Sequence, residues 1–280
     1  MAARFRRCED DGMTRPLALD QLTVIGTDPA ELVDLAADAG FAAISPWLAV
    51  VPYDALPANH LRAGDPATAA MARRLRETGV ALNQADGFAL GDEAPMAAYR
   101  DGIALMAEMG ARNIVALHFD SDMERGFDRF CQLDTWAKVA GIGTALEFTP
   151  LSRIGTLDAA LAFLDRVDSA NAGLLVDLLH LAQSGGRPAD LARVPPGMIR
   201  GAQLCDAPGV VDFESYAHDA VRHRLWPGEG TLPVAEFIRA LPDDIIIGVE
   251  IPRAEPELDR KARARRAFET SVAAVHAATA

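Results

Sequence analysis

A chain of 280 residues, half of them hydrophobic and 24% charged, has material for a sizeable core in one large domain or two small ones. Its formal net charge of −13 argues against a nucleic-acid partner, and its arginine clusters, Arg73-Arg74-Arg76 and Arg260 to Arg266, fall in helical patterns as solvated faces do. The three cysteines, Cys8, Cys131 and Cys205, form no CxxC pair, so neither a disulfide framework nor a thiolate zinc site is indicated. No apolar run is long enough to span a bilayer, and the basic start lacks the apolar stretch of a secretory signal, so a cytoplasmic protein is expected. Residues 1–15 read as a disordered extension, with Met13 as an alternative start.

From Leu17 onward short apolar runs alternate with longer amphipathic ones. Leu17 to Ile25 reads as a first strand, followed by the N-cap signal Thr27-Asp28-Pro29 and a helix over Ala30 to Ala39. Phe41 to Ser45 is a second strand, and a loop rich in Pro with Trp47 leads to a helix from Pro66 to Thr78. Val80 to Asn83, Asn113 to Leu117 (ending in His118), Gly143 to Glu147 and Ala172 to Asp177 are the next four strands. Helices over Pro95 to Met109, Met123 to Val139 and Thr156 to Val167 separate them. A short helix near Pro188 to Arg193, a strand from Ile199 to Leu204, a helix from Leu232 to Leu241, a strand from Ile245 to Glu250 and a helix from Pro256 to Ala278 complete the series. Glycines close several helices before the next strand, as αβ loops require.

Eight strand-then-helix units point to an α/β protein of the (β/α)8 TIM-barrel type. A doubly wound sheet is the competing architecture, but it usually carries a Gly-rich phosphate turn after an early strand, and none is present. Without a linker or composition break, residues 16–280 read as one barrel domain. The stretch Asp206 to Gly230 is too long for an idle loop and is expected to be functional.

In a barrel the C-terminal strand ends line one mouth, where active sites sit. Strands five to eight end in Glu147, Asp177, Gln203 and Glu250. A carboxylate behind a buried strand is costly without a partner. One such residue can cap a loop or pair with an arginine, whereas four oxygen-bearing side chains in corresponding positions suggest a shared metal.

Leu146-Glu147-Phe148-Thr149-Pro150, Val176-Asp177-Leu178-Leu179-His180, Gln203-Leu204-Cys205-Asp206, and Arg224 followed by Pro227-Gly228-Glu229-Gly230 resemble the sugar-phosphate isomerase/epimerase family of xylose-isomerase-like barrels. The resemblance implies one divalent metal held by Glu147, Asp177, Gln203 and Glu250. Where the commoner epimerase pattern has His, this chain has Gln203. The resulting all-oxygen set suits Mn²⁺ or Mg²⁺ better than Zn²⁺. The endonuclease branch of the superfamily, rich in His and needing a basic groove, does not fit six histidines and this charge.

His180 reads either as a loop histidine under the rim or, as the resemblance implies, as a donor to a substrate oxygen. His118 is open between a pocket wall and a structural role. Arg224 could clamp a substrate oxygen or pair with Glu229 or Asp206. Trp47 and Gln183 are candidate pocket walls, and Asp206 a support for a ligand or for Arg224. No serine sits in a nucleophile elbow, and Cys131 and Cys205 lack a partner base.

The metal would polarise the carbonyl of a hydroxy-ketone, and Glu147 and Glu250 would remove and return the neighbouring proton through an enediolate. The expected activity is a metal-dependent isomerase or epimerase of a carbohydrate-like small molecule. The first rival is a dehydratase of a cyclic keto-polyol, such as an inosose or a dehydroshikimate-like compound, and the second a non-catalytic sugar-binding barrel. Neither nucleic acid nor membrane is expected as a partner, and the alanine-rich closing helix leaves a homodimer open.

Overall fold

The computed structural model describes residues 15–48, 61–253 and 258–280. Nine parallel strands form one sheet: β1 (Leu17–Asp20), β2 (Ala43–Ser45), β3 (Ala81–Leu82), β4 (Gln84–Leu90), β5 (Asn113–His118), β6 (Gly143–Glu147), β7 (Ala172–Asp177), β8 (Ile199–Leu204) and β9 (Ile247–Val249). They hydrogen-bond in the order β3-β2-β1-β9-β8-β7-β6-β5-β4. The two ends of that order, β3 and β4, are consecutive halves of one strand broken at Asn83. Across the seam the Leu48 N–H reaches the Asp86 carbonyl at 2.9 Å and the Asp86 N–H reaches the Pro46 carbonyl at 3.0 Å. The sheet is therefore a nearly closed TIM barrel with helices between its strands, a single domain.

The helices are α1 (Pro29–Ala39), α2 (Pro66–Thr78), α3 (Met96–Glu108), α4 (Met123–Ala140), α5 (Leu157–Val167), α6 (Leu178–Gln183), α7 (Phe213–Arg222), α8 (Val234–Ala240) and α9 (Arg260–Thr279). Their starts are chemically marked. The Asp28 side chain accepts from the N–H groups of Ala30 and Glu31, and Asp212 and Thr156 cap α7 and α5 in the same way. Pro188–Arg193 is a 3-10 turn. None of these helices is long and apolar enough to cross a membrane.

Side-chain alternation along each strand sorts residues between two interiors. Leu17, Leu19, Ile44, Leu146, Leu174, Val176, Leu204, Ile247 and Val249 join the large cluster between barrel and helices. Two small groups, Ala18/Ala43/Ile246 and Val115/Ala145/Leu175, pack separately. They share the parity of Asp20, Ser45, Glu147 and Asp177, so they form the apolar floor inside the barrel. Continuing that parity upward places Asp20, Ser45, Glu147, Asp177, Gln203 and Glu250 inside, at the C-terminal rim.

Four expectations change. The first strand ends at Asp20, and Gln21–Val24 coil into a 3-10 turn, so the inward strand-end residue is Asp20 rather than Ile25. The third strand resumes after Asn83 and runs to Leu90, carrying the buried Gln84 and Asp86. The Asp206–Gly230 stretch contains the ten-residue helix α7, and α6 follows β7 directly. Of the expected N-terminal extension only Arg15 is described. It is anchored, donating to the Leu241 and Pro242 carbonyls and pairing with Asp243. Cys8, most of the loop after Trp47 and the expected start of the last helix at Pro256 lie outside the described residues.

Candidate active site

Glu147, His180, Arg224 and Glu250 line one cavity of about 130 Å³ at the C-terminal rim, together with Trp47 and Thr149. Glu147 ends β6 and Glu250 follows β9, both directed inward by strand parity. Asp177 ends β7 and caps α6, accepting the His180 N–H at 3.0 Å. That cap fixes where the short helix starts and therefore where the imidazole stands.

His180 is the centre of a buried hydrogen-bond chain. Its Nε2 lies 3.3 Å from Glu147 Oε1, and its Nδ1 is 2.9 Å from the Tyr216 hydroxyl, which is 2.6 Å from Thr149 Oγ1. Tyr216 belongs to α7, so the helix hidden in the long stretch reaches over the mouth and holds the histidine from above.

Arg224 follows α7 and is buried. Its Nη1 donates to Asp177 Oδ2 at 2.5 Å, its Nη2 lies 3.0 Å from Glu250 Oε2, and its Nε donates to the Ala220 carbonyl. The expected partners Glu229 and Asp206 are engaged elsewhere. Glu229 pairs with Arg253 and Arg266, and both Asp206 carboxylate oxygens accept backbone N–H groups, those of Ala207 and Leu232 on one and Gly228 and Gly230 on the other. Asp206 thus ties down the Pro-Gly-Glu-Gly turn; it does not orient a ligand.

Gln203 donates its Nε2 to Asp20 Oδ2 at 3.1 Å and Glu250 Oε1 at 3.0 Å, leaving Oε1 buried and without a partner. Asp20, which the sequence reading passed over, fits beside it because β9 has no side chain at Gly248. A Cβ there would stand 2.5 Å from Asp20 Oδ2. Asp86, also passed over, approaches from β4: ligand oxygens of Asp20, Asp86 and Glu250 lie within 4.8 Å of one another. Glu147 and Asp177 stand outside that group, Asp177 drawn toward Arg224.

Five buried carboxylates, Asp20, Asp86, Glu147, Asp177 and Glu250, therefore stand in the mouth with one buried guanidinium, which pairs with two of them, Asp177 and Glu250. Burial pushes the Asp20 carboxyl up to about 7, and burial together with the neighbouring carboxylates raises Asp86 and Glu250 well above the ordinary range. Asp177 is also penalised by burial, but the Arg224 charge and the hydrogen bonds from Arg224 and the His180 backbone N–H hold its carboxyl low. An excess of buried carboxylate oxygen, with an orphaned amide oxygen among it, is what a hard divalent cation satisfies. The donor set fits such an ion.

Two expected site residues are elsewhere. On β5 it is Leu117 that faces the cavity; His118 points to the helix layer, packs edge-on against Phe163 and has its Nε2 3.4 Å from the Met123 carbonyl. Gln183 spends its amide on the backbone of Val211, donating Nε2 to that carbonyl and accepting that N–H, so it braces the segment leading into α7. Trp47 does line the cavity, with its Nε1 buried.

The profile of the Xylose isomerase-like TIM barrel family matches residues 33–271. The chain belongs to that family. Among solved structures, the IOLI protein with a binding zinc atom superposes with a TM-score of 0.77 at 19% identity, over 94% of this chain and 98% of that one. D-allulose 3-epimerase from Methylomonas sp. in complex with D-allulose gives a TM-score of 0.66 at 18% identity, over 91% and 96%. A curated relative, 3-dehydroshikimate dehydratase of Pseudomonas aeruginosa, is 32% identical over 114 residues, which is 40% of this chain and 17% of that protein. The chain thus matches about a sixth of that relative's length. The latter two are named as enzymes, and the family membership agrees with the resemblance carried by the strand-end motifs.

Proposed function

We propose that this barrel is a divalent-metal-dependent enzyme that moves the proton next to the carbonyl of an α-hydroxy-carbonyl compound, as an isomerase or epimerase does. The observation that carries the reading is the pair Glu147 and Glu250, two carboxylates lining one cavity with His180 and Arg224. Glu147, Asp177, Gln203 and Glu250 would hold the ion, with Asp20 and Asp86 beside Glu250 adding carboxylate oxygen and negative charge; their all-oxygen character favours Mn²⁺ or Mg²⁺, although one structural neighbour carries zinc. Once bound, the ion supplies polarisation of the carbonyl. One of the two glutamates takes the proton and the other returns it, while His180, steadied by Tyr216, donates to the oxygen on which charge develops. Burial of the whole set keeps water from competing for that proton.

A lyase reading has support from the Pseudomonas dehydratase. The same proton removal followed by loss of a β-hydroxyl yields a dehydration. Incubation of the Mn²⁺-loaded protein in D2O with a panel of α-hydroxy-ketones should place deuterium at the carbon beside the carbonyl. Glu147→Gln and Glu250→Gln should each slow that exchange by about 10²–10⁴-fold. Absorbance from a conjugated enone would assign the lyase, and absence of exchange across the panel would falsify both.

A further inference from the structure

We infer that the substrate of this site is an uncharged α-hydroxy-ketone whose body, beyond the two reacting oxygens, is apolar: an alicyclic or aryl ketol instead of a polyhydroxylated sugar, sugar phosphate or carboxylated ring. The inference rests on the proton-transfer reading above and concerns what surrounds the reacting atoms.

The polar groups of the cavity are gathered on one side. Glu147 contacts His180, Arg224 contacts Glu250, and Asp177 ties the two pairs together; among the described residues the one further polar group on the wall besides Trp47, Thr149, has its hydroxyl engaged with Tyr216. The remaining described wall is hydrocarbon, with Leu22 and Ile25 from the turn after β1, Leu117 from β5, Leu151 from the loop after β6, and Val221 from α7. Trp47 contributes its ring, since its Nε1 is buried away from the space. A polyol held there would bring several hydroxyls against surfaces that return no hydrogen bond, each losing its water without replacement.

Charge points the same way. Among the described residues the cavity wall carries no lysine and no arginine but Arg224. That guanidinium donates to Asp177, to the Ala220 carbonyl and to the Glu250 carbonyl, and its Nη2 is 3.0 Å from Glu250 Oε2. A phosphate or carboxylate on the body of the substrate, away from the reacting oxygens, would meet that hydrocarbon wall, with the Arg224 guanidinium already engaged by Asp177 and Glu250. Apolar surface is the complement of apolar substrate, and an uncharged ring satisfies the wall that a sugar would not.

A matched pair tests this. 2-Hydroxycyclohexanone and an inosose share the ring and the ketol and differ only in ring hydroxyls. In D2O with the Mn²⁺-loaded protein, kcat/KM for exchange should be at least about tenfold higher for 2-hydroxycyclohexanone, since one unmatched hydroxyl in an apolar pocket costs up to about a hundredfold. Equal or faster exchange of the inosose, of a ketohexose, of a ketose phosphate or of 3-dehydroshikimate overturns the inference and leaves the proton-transfer reading standing. Binding separates the opposite failure: cis-1,2-cyclohexanediol and myo-inositol have no carbonyl and cannot react. By titration calorimetry the diol should bind at least about tenfold more tightly; a preference for inositol, or binding of neither, overturns the inference. A diol preference without exchange of any ketol would instead remove the reaction. Val221→Thr, which adds a hydroxyl at constant shape, should narrow the gap in exchange between the pair.

Discussion

The imidazole of His180 can serve a substrate only if its ring and tautomer are fixed. With Nε2 toward the Glu147 carboxylate, which only accepts, that nitrogen carries the proton and Nδ1 accepts from the Tyr216 hydroxyl. Tyr216 in turn can take a hydrogen bond from Thr149. Burial raises the Tyr216 phenol, so it stays neutral and remains a donor across the working pH range. Tyr216→Phe removes that donor and leaves the ring in place. We expect kcat to fall about tenfold with KM little changed, the magnitude of one misplaced charge-stabilising hydrogen bond. His118→Ala is the contrast: it should lower the melting temperature through lost packing on Phe163 and leave kcat/KM within about twofold. A fall in kcat/KM for His118→Ala comparable to that of Tyr216→Phe would return His118 to the site.

At the scale of elements, strands β6, β7 and β8 and the Glu147, Asp177 and Gln203 side chains on them were legible because each is an apolar run with a clean end, and helix α2 because Pro66 and Gly79 bracket it. Asp20 and Asp86 were hidden by their neighbours. Gln21 to Val24 continue an apolar-looking run through a 3-10 turn, and β4 alternates Gln84 and Asp86 inward in a pattern that does not look greasy. His118 was misplaced by one residue of parity, and one residue is enough to turn a side chain through the wall. Helix α7 carried its own signals, an Asp212 cap and inward Tyr216 and Ala220 at helical spacing, but its polar face made the stretch read as a loop. The turn that closes this stretch hangs on Asp206, buried and accepting four backbone N–H groups. Asp206→Ala should therefore cost at least about 3 kcal/mol in chemical denaturation, because those donors lose a charged acceptor inside the fold. Gly230→Ala should act similarly, since its Cβ would meet the Ala207 carbonyl oxygen at 2.2 Å. If either variant unfolds with the midpoint of the wild type, the turn is not anchored this way.

For the whole molecule the mouth is an electrostatic liability that protons or a cation must relieve. Asp20, ordinarily near 3.8, is raised to about 7 by burial, and Asp86 and Glu250 are raised for the same reason. A carboxyl raised on folding gives stability that is fully present below its unfolded value and is lost as pH rises through its folded one. The metal-free protein should accordingly lose stability between about pH 4 and about pH 7, and the loss should be shallower in Asp20→Asn. Asp177, held low, acts in the opposite sense, but only at more acidic pH. A divalent ion competes with those same protons, so its apparent affinity should rise through the same window. At pH 8 a hundredfold excess of Mn²⁺ over its dissociation constant adds about 2.7 kcal/mol, or roughly 5–10 °C in melting temperature for a domain of this size. At pH 5.5 the gain should shrink, and in Glu250→Gln it should largely vanish at both. Thermal melts with chelator and with Mn²⁺ at the two pH values read all of this at once. An equal metal-induced shift at pH 5.5 and pH 8 would show that the raised carboxyls take no part in holding the ion.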